Sequence, residues 1–264
     1  MQPPATLPAP SRVTILGTPV DTVDLPGALA RVASWLDTPE GGLRHVVTVN
    51  PEFVMAARRD PRFAAALRAS ALATADGVGI TLAARVLGVP RAPRIPGVEL
   101  VEGLAGLRHP GARLFLLGAA PGVADEAAAR LLVRHPAAQI VGVYPGSPAA
   151  RDWSAIEAQL RAAAPSILLV AFGHPRQDLW IAERRAQLEA LGVVVASGVG
   201  GAFDYLSGRV PRAPQLVRRA GCEWLYRLLR QPWRWRRQLV LPRFAALVLL
   251  ERVRRRTVAG GPHR

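Results

Sequence analysis

With 264 residues, half of them apolar, the chain has material for one sizeable α/β domain and an appendage. Its apolar runs are of strand length and none reaches the roughly 18 to 20 uncharged residues of a membrane-spanning helix, so no transmembrane segment is expected. The 34 basic residues, every one an arginine, outnumber 19 acidic ones to give a net charge of +15, and a single cysteine, Cys222, rules out an internal disulfide. Five scattered histidines without zinc spacing give no reason to expect a structural metal. The start, MQPPATLPAPSR, has no basic n-region followed by an apolar h-region, so a secretory signal is not expected and a cytoplasmic location is.

In chain order, a strand at Arg12–Leu16 opens the fold and Leu25–Leu36 follows as an amphipathic helix. HVVTVN (45–50) reads as a buried strand, with Pro51 suited to the first turn of an arginine-rich helical stretch that ends near Ala69. In ALATADGVGI (71–80), Asp76 stands just past a short apolar run and is followed by Gly77 and Gly79. A helix through Leu87 leads to a proline-studded loop, 88–97. RLFLLG (113–118), a helix over 123–134, a strand over 138–143 and a helix over 152–163 then form a regular βαβα passage.

Next comes the most informative stretch, ILLVAFGHPRQDLW to VVVASGVGGAFDYLSG. Two short runs rich in β-branched residues each pass straight into glycine, as strands buried on both faces do at the ligand edge of an α/β sheet. Strands alternating with helices of about 10 to 15 residues predict a largely parallel, Rossmann-like sheet flanked by helices.

Composition changes after Gly208. Residues 1–208 hold 19 Arg against 17 acidic residues, whereas 209–256 hold 14 Arg against only Glu223 and Glu251. Three of the six tryptophans (Trp224, Trp233, Trp235) fall here, and Leu225, Leu228, Leu229 and Trp233 are spaced like one helix face. The expected organisation is an α/β domain over 1–208 and a basic helical appendage over 209–256, divided into short helices by Pro232 and Pro242. A tail follows from Thr257.

Asp76, on a glycine-flanked loop, has two readings: a general base at the ligand edge, or a cap for the next helix. Thr48 and Asn50 alternate on one strand and either hold a substrate hydroxyl or acetamido group or cap the strand end. Gln177 and Asp178 follow Gly173–Pro175 at a helix start, where an amide reaches a ligand and an acid suits the dipole. Gly198, Gly200 and Gly201 allow phosphate approach or close packing. Arg94, within an apolar loop, either neutralises a diphosphate or is a solvated charge. His45 and His174 lack the serine or cysteine partners of a hydrolytic triad.

Taken together, TVNPEFV (48–54), ADGVGI (75–80), RIPG (94–97), GHPRQD (173–178), GVGGAFDYLSG (198–208), RAP (212–214) and EWLYRL (223–228) with PWRWRR (232–237) resemble the WecG/TagA/CpsF family, glycosyltransferase family 26. They occur in that family's order over nearly the whole chain. The resemblance implies a GT-E type fold and a UDP-sugar-dependent hexosyltransferase. It further implies inverting transfer, of N-acetylmannosamine in the best-known members, to a sugar on undecaprenyl diphosphate, in the synthesis of cell-surface polysaccharide or teichoic-acid-type polymer.

Asp76 would be the base. Thr48, Asn50, Arg94, Gly173, Gln177, Gly198, Gly200, Gly201 and Asp204 would line the substrate pocket. Arg212, Arg227, Arg234 and Arg237 would face diphosphate or lipid headgroups in a membrane-docking appendage on the inner face of the cytoplasmic membrane. No cofactor or metal requirement is implied. Two departures stand out: Asp178 where Glu is usual, and Gln238 where an aromatic is common.

The competing readings come from other classes. An arginine-rich segment can bind nucleic acid, but interleaved Trp and Leu at helical spacing fit an anionic membrane surface better, and no nucleic-acid partner is expected. A dinucleotide oxidoreductase would need a G-x-G-x-x-G turn after a strand, which GVGGAF does not supply. A non-catalytic binding protein for nucleotide-sugar is the remaining alternative.

Overall fold

The computed structural model describes residues 9–89, 92–219, 225, 226, 228 and 239–259. It opens on an antiparallel hairpin, β1 Arg12–Ile15 and β2 Thr18–Asp21. The second strand escapes the sequence pattern because TPVD is four residues long, contains a proline and is buried throughout instead of alternating. Leu16 turns the hairpin at φ +49°, beside Gly17 at φ +84°.

Six further strands make one parallel sheet: β3 Arg44–Val49, β4 Leu72–Ala75, β5 Arg113–Gly118, β6 Gln139–Tyr144, β7 Ile167–Ala171 and β8 Val195–Gly198. Their spatial order is β4-β3-β8-β7-β5-β6. Successive residues feed opposite cores, which is why the central strands read as unbroken apolar runs. Val46, Leu114 and Leu169 meet the helices α1 Leu25–Asp37, α5 Gly97–Ala105, α6 Val123–Arg134 and α10 Ala202–Leu206 on one face. Val47, Phe115 and Leu168 face the other way. That second face is covered by α2 Pro51–Ala57, α3 Pro61–Arg68 and α4 Val78–Val86 near one edge, and by α7 Trp153–Ala163, α8 Arg176–Glu183 and α9 Arg185–Ala190 near the other.

The arginine-rich stretch after Asn50 is two helices, because Asp60 caps the second through Arg62 N–H and Phe63 N–H (2.9 and 3.4 Å) with Pro61 as its first residue. Helix α5 was hidden behind the proline-rich loop, yet its buried residues Val98, Leu100, Val101, Leu104 and Ala105 carry a helical period.

Just past Gly208, two arginines hold the chain against the α/β body. Arg209 forms a bidentate pair with Glu126 (2.8 and 2.9 Å), and Arg212 bonds Glu99 at 2.7 Å. A helix then runs Val240–Ala259 and packs on α2 and α4, burying Phe244 and Val248 in the core beside Ile80 and Ala83. Pro242 lies in its first turn, where a missing N–H costs no helical bond, so it starts this helix and does not divide it. Helical structure also extends to Ala259, into the segment the sequence suggested as a tail. Glu251 accepts from the Leu16 N–H (2.9 Å) and Arg255 donates to Thr14 O (2.6 Å), so the helix is latched to the hairpin turn. The sequence's Trp224, Trp233, Trp235 and Pro232 lie outside the described residues.

Asp21 joins hairpin to sheet. Its buried carboxylate accepts from Arg12 (2.7 and 2.8 Å) and from Ala73 N–H on edge strand β4 (2.7 Å). The hydrogen bond to Asp21 pushes the Arg12 guanidinium still higher than its ordinary range. Replacing Asp21 by Ala leaves the Ala73 N–H buried without its acceptor and releases Arg12, which is partly exposed and can be hydrated. The expected loss is about 2 kcal/mol of unfolding free energy, read as a lower denaturation midpoint. A loss below ~0.5 kcal/mol would mean that the hairpin is not held by this carboxylate.

Candidate active site

The loops leaving β3 and β7 turn to one face of the sheet and those leaving β5 and β8 to the other, so a crevice opens at the carboxyl edge, where ligands of open α/β sheets sit. The cleft there has a volume of about 820 Å³. It is bordered by Thr48 from β3 and Asn50 just after it, Asp76 after β4, Arg94, Gly173 and Gln177 after β7, and Gly200, Gly201 and Asp204 after β8. Elements up to 156 residues apart in the chain therefore bring nine of the ten sequence-derived pocket residues and catalytic candidate together with one another.

Asp76 sits half-buried, with its N–H bonded to Val49 O (2.7 Å) across the β3–β4 pair. The cap of the following helix is Gly77, at φ +91° and ψ 151°, so Asp76 stands outside the helix and not at its cap position. Arg94 is brought alongside by its backbone: Ala75 and Arg94 form an isolated parallel bridge, and Ile95 N–H donates to Ala75 O at 2.8 Å. The residue before the carboxylate thus anchors the loop that carries the arginine.

Asn50 does cap its helix, its side-chain oxygen accepting from Phe53 N–H at 3.1 Å, and it borders the cleft as well. Thr48 is buried on the same strand, and a Cβ at Gly97 would come within 3.7 Å of its Oγ1.

Gln177 is buried and its Oε1 accepts from the Gly200 N–H at 3.0 Å, tying the start of α8 to the glycine loop. Gly198 lies beneath the cleft and does not line it. A Cβ there would stand 2.6 Å from Gln177 Nε2 and 2.7 Å from both Gln177 Cγ and Asp178 Oδ1, so close packing is the requirement this glycine meets. Asp178 is fully buried with Oδ1 3.3 Å from His45 Nε2, which explains what a carboxylate does at this helix start.

Several bordering residues were missed. His174 stacks on Phe53 (5.1 Å between ring centres) and lies 3.7 Å from Glu52. Tyr205 follows Asp204 within the quoted GVGGAFDYLSG stretch. Ala119 and Ala120 follow β5, where Ala119 adopts φ +64°, a conformation uncommon for a residue with a Cβ. The C-terminal helix adds Leu241, Phe244, Ala245, Val248 and Leu249.

Of the arginines given to the appendage, Arg212 pairs with Glu99 and approaches Glu102 at 4.0 Å. Arg227, Arg234, Arg237 and Gln238 lie outside the described residues. Among the described residues, no group of three or more His, Cys, Asp or Glu is arranged to hold a metal ion, and no helix is long and apolar enough to cross a membrane.

Sheet, crossovers and cleft define a Rossmann-like α/β protein with its ligand site at the carboxyl edge of a parallel sheet. The chain belongs to the WecG/TagA/CpsF glycosyltransferase family, whose model matches residues 13–258, and it is a glycosyltransferase. It is 34% identical over 217 residues to an N-acetylglucosaminyldiphosphoundecaprenol N-acetyl-beta-D-mannosaminyltransferase from Bacillus spizizenii, covering 82% of each chain. Proteins of the same name from Bacillus subtilis and Staphylococcus aureus are 32% and 29% identical, over 83% of this chain and 84% and 85% of theirs.

Proposed function

We propose that this glycosyltransferase moves an N-acetylmannosaminyl unit, or a related hexosyl unit, from a UDP-sugar to a sugar carried on undecaprenyl diphosphate. Cell-surface polymer synthesis is the process this reaction serves. The acceptor class is the one that the relatives' names carry. The observation that carries the reading is the junction of Asp76 and Arg94 on one strand end, inside a cleft that also contains the amide-bearing turn Gly200–Gly201.

The reaction is an inverting single displacement. The acceptor hydroxyl loses its proton to Asp76 as its oxygen forms the new bond to the anomeric carbon. The bond from that carbon to UDP breaks, and UDP departs with the electron pair. Arg94 and the backbone amides of the glycine turns stabilise the departing charge, while Thr48, Asn50, Gln177 and Asp204 orient the sugars.

The protein works at the cytoplasmic face of the membrane. The C-terminal helix is apolar on nearly every side from Val240 to Leu250, although only one side is covered by the α/β body. Leu250 and Val253 are 54% and 60% exposed beside Arg252 and Arg254–Arg256, the mixture that suits an anionic bilayer surface.

Release of UDP from a panel of UDP-sugars tests the reading, with a lipid-diphosphate GlcNAc acceptor present or absent in anionic vesicles. The expected result is acceptor-dependent release from one donor. No release from any donor, by folded protein supplied with vesicles, would reject transfer and return the chain to a nucleotide-sugar binding role.

A further inference from the structure

Two apolar stripes face each other across the outer part of the cleft. Helix α4 begins two residues after Asp76, and Val78, Leu82 and Val86 recur at every fourth position, leading away from the carboxylate one turn at a time. Opposite them the C-terminal helix presents Leu241, Ala245 and Leu249 at the same spacing, with Phe244 and Val248 buried between the two. Eight residues of helix span about 12 Å. Leu82 and Leu249 remain 50% and 56% exposed, so this surface is apolar yet uncovered. Scattered exposed leucines are ordinary, whereas a contiguous apolar wall marks a binding surface.

We propose that this groove holds the first isoprene units of the acceptor's polyprenyl chain, and that the C-terminal helix is the wall that selects a lipid-linked acceptor. The inference rests on the transferase reading above and names the part of the acceptor it left open. Continuity argues for this occupant: groove and polar end are one cavity, so a ligand with its sugar at Asp76 leads its tail between α4 and the C-terminal helix. The chemistry agrees, because a polar head on a long hydrocarbon matches a cleft that is polar at the sheet edge and apolar beyond it.

The test compares two acceptors in detergent without vesicles, GlcNAc diphosphate on a polyprenyl chain and on a short alkyl chain. The protein is the full chain, its Ala245→Trp variant and its Leu82→Gln variant, with melting curves as the check on folding. The wild type is expected to favour the polyprenyl acceptor in KM. Each variant should raise that KM by about tenfold, the effect of about two methylene groups losing their burial, and leave the alkyl acceptor and the UDP-sugar within twofold.

Anisotropy of a fluorescent polyprenyl diphosphate gives a second readout, with about the same tenfold weakening expected. Loss of lipid binding in the variants without turnover of either acceptor would keep the groove and reject the transfer reaction. Equal KM for both acceptors, or equal damage to both in the variants, would reject the groove and keep the transferase. A wild type that dimerises and an Ala245→Trp variant that does not would also overturn the proposal, by making the groove an interface between copies.

Discussion

Asp76→Asn is expected to lower kcat by roughly 10²–10⁴ while leaving the melting temperature and the KM for both substrates within a few-fold, because general-base assistance is worth about that much. The substitution removes the basicity of the carboxylate and keeps the shape of the side chain. The backbone bond to Val49 O at 2.7 Å persists, since it uses the main-chain N–H, and Asn fills the same volume. Gly77 and not residue 76 caps α4, so the helix start does not depend on the carboxylate. UDP release under saturating donor and acceptor measures the effect. Glu52→Gln and Asp204→Asn are the comparison, as these are the other carboxylates on the cleft among the described residues. Glu52 stands 3.7 Å from His174, and Asp204 lies in the first turn of α10. If Asp76→Asn turns over normally and one of the others does not, the base is that residue.

Much of this arrangement was legible because buried parallel strands announce themselves. HVVTVN, RLFLLG and ILLVAF are covered on both faces, and each ends where glycine or proline allows a sharp turn. Ligands gather at those ends, and nine of the residues named from the motifs and the family resemblance border one cleft. What stayed hidden was what local pattern does not encode. The four residues of β2 include Pro19 and never alternate, so only their pairing with β1 defines them. The two readings of Asn50 proved compatible, because a side-chain oxygen can cap Phe53 while the same residue borders the cleft. Of the two readings of Gly198, phosphate approach or close packing, the structure meets the second: its need for hydrogen at Cα comes from Gln177 and Asp178, which arrive from a different strand–helix unit. The C-terminal wall was least legible. Its helix is apolar on nearly every side from Val240 to Leu250, and a periodicity without contrast cannot say which side meets the protein.

Gly198→Ala should cost both stability and turnover. The residue is buried at the end of β8, and the new Cβ would stand 2.6–2.7 Å from atoms of two side chains that are themselves buried. Neither neighbour can swing aside cheaply. Gln177 holds the Gly200 N–H at 3.0 Å, and Asp178 Oδ1 faces His45 at 3.3 Å. Overpacking together with one weakened buried hydrogen bond predicts about 2–4 kcal/mol of lost stability. Activity should fall further than stability explains, because the yielding atom belongs to the amide that sets the Gly200–Gly201 turn. Gly192→Ala separates the two effects. Its φ of +82° makes a side chain strained, with nothing within 4 Å of the added Cβ, in the turn before β8 and away from the cleft. That variant should lose about 1–2 kcal/mol and keep its turnover. A Gln177→Ala second substitution then makes the cause explicit. If the clash is with Gln177, the Gly198→Ala/Gln177→Ala pair is more stable than the sum of its single changes predicts, by about 1–2 kcal/mol, yet still inactive. Strict additivity would mean that the strand end shifts as a unit and that Gln177 does not set the glycine turn.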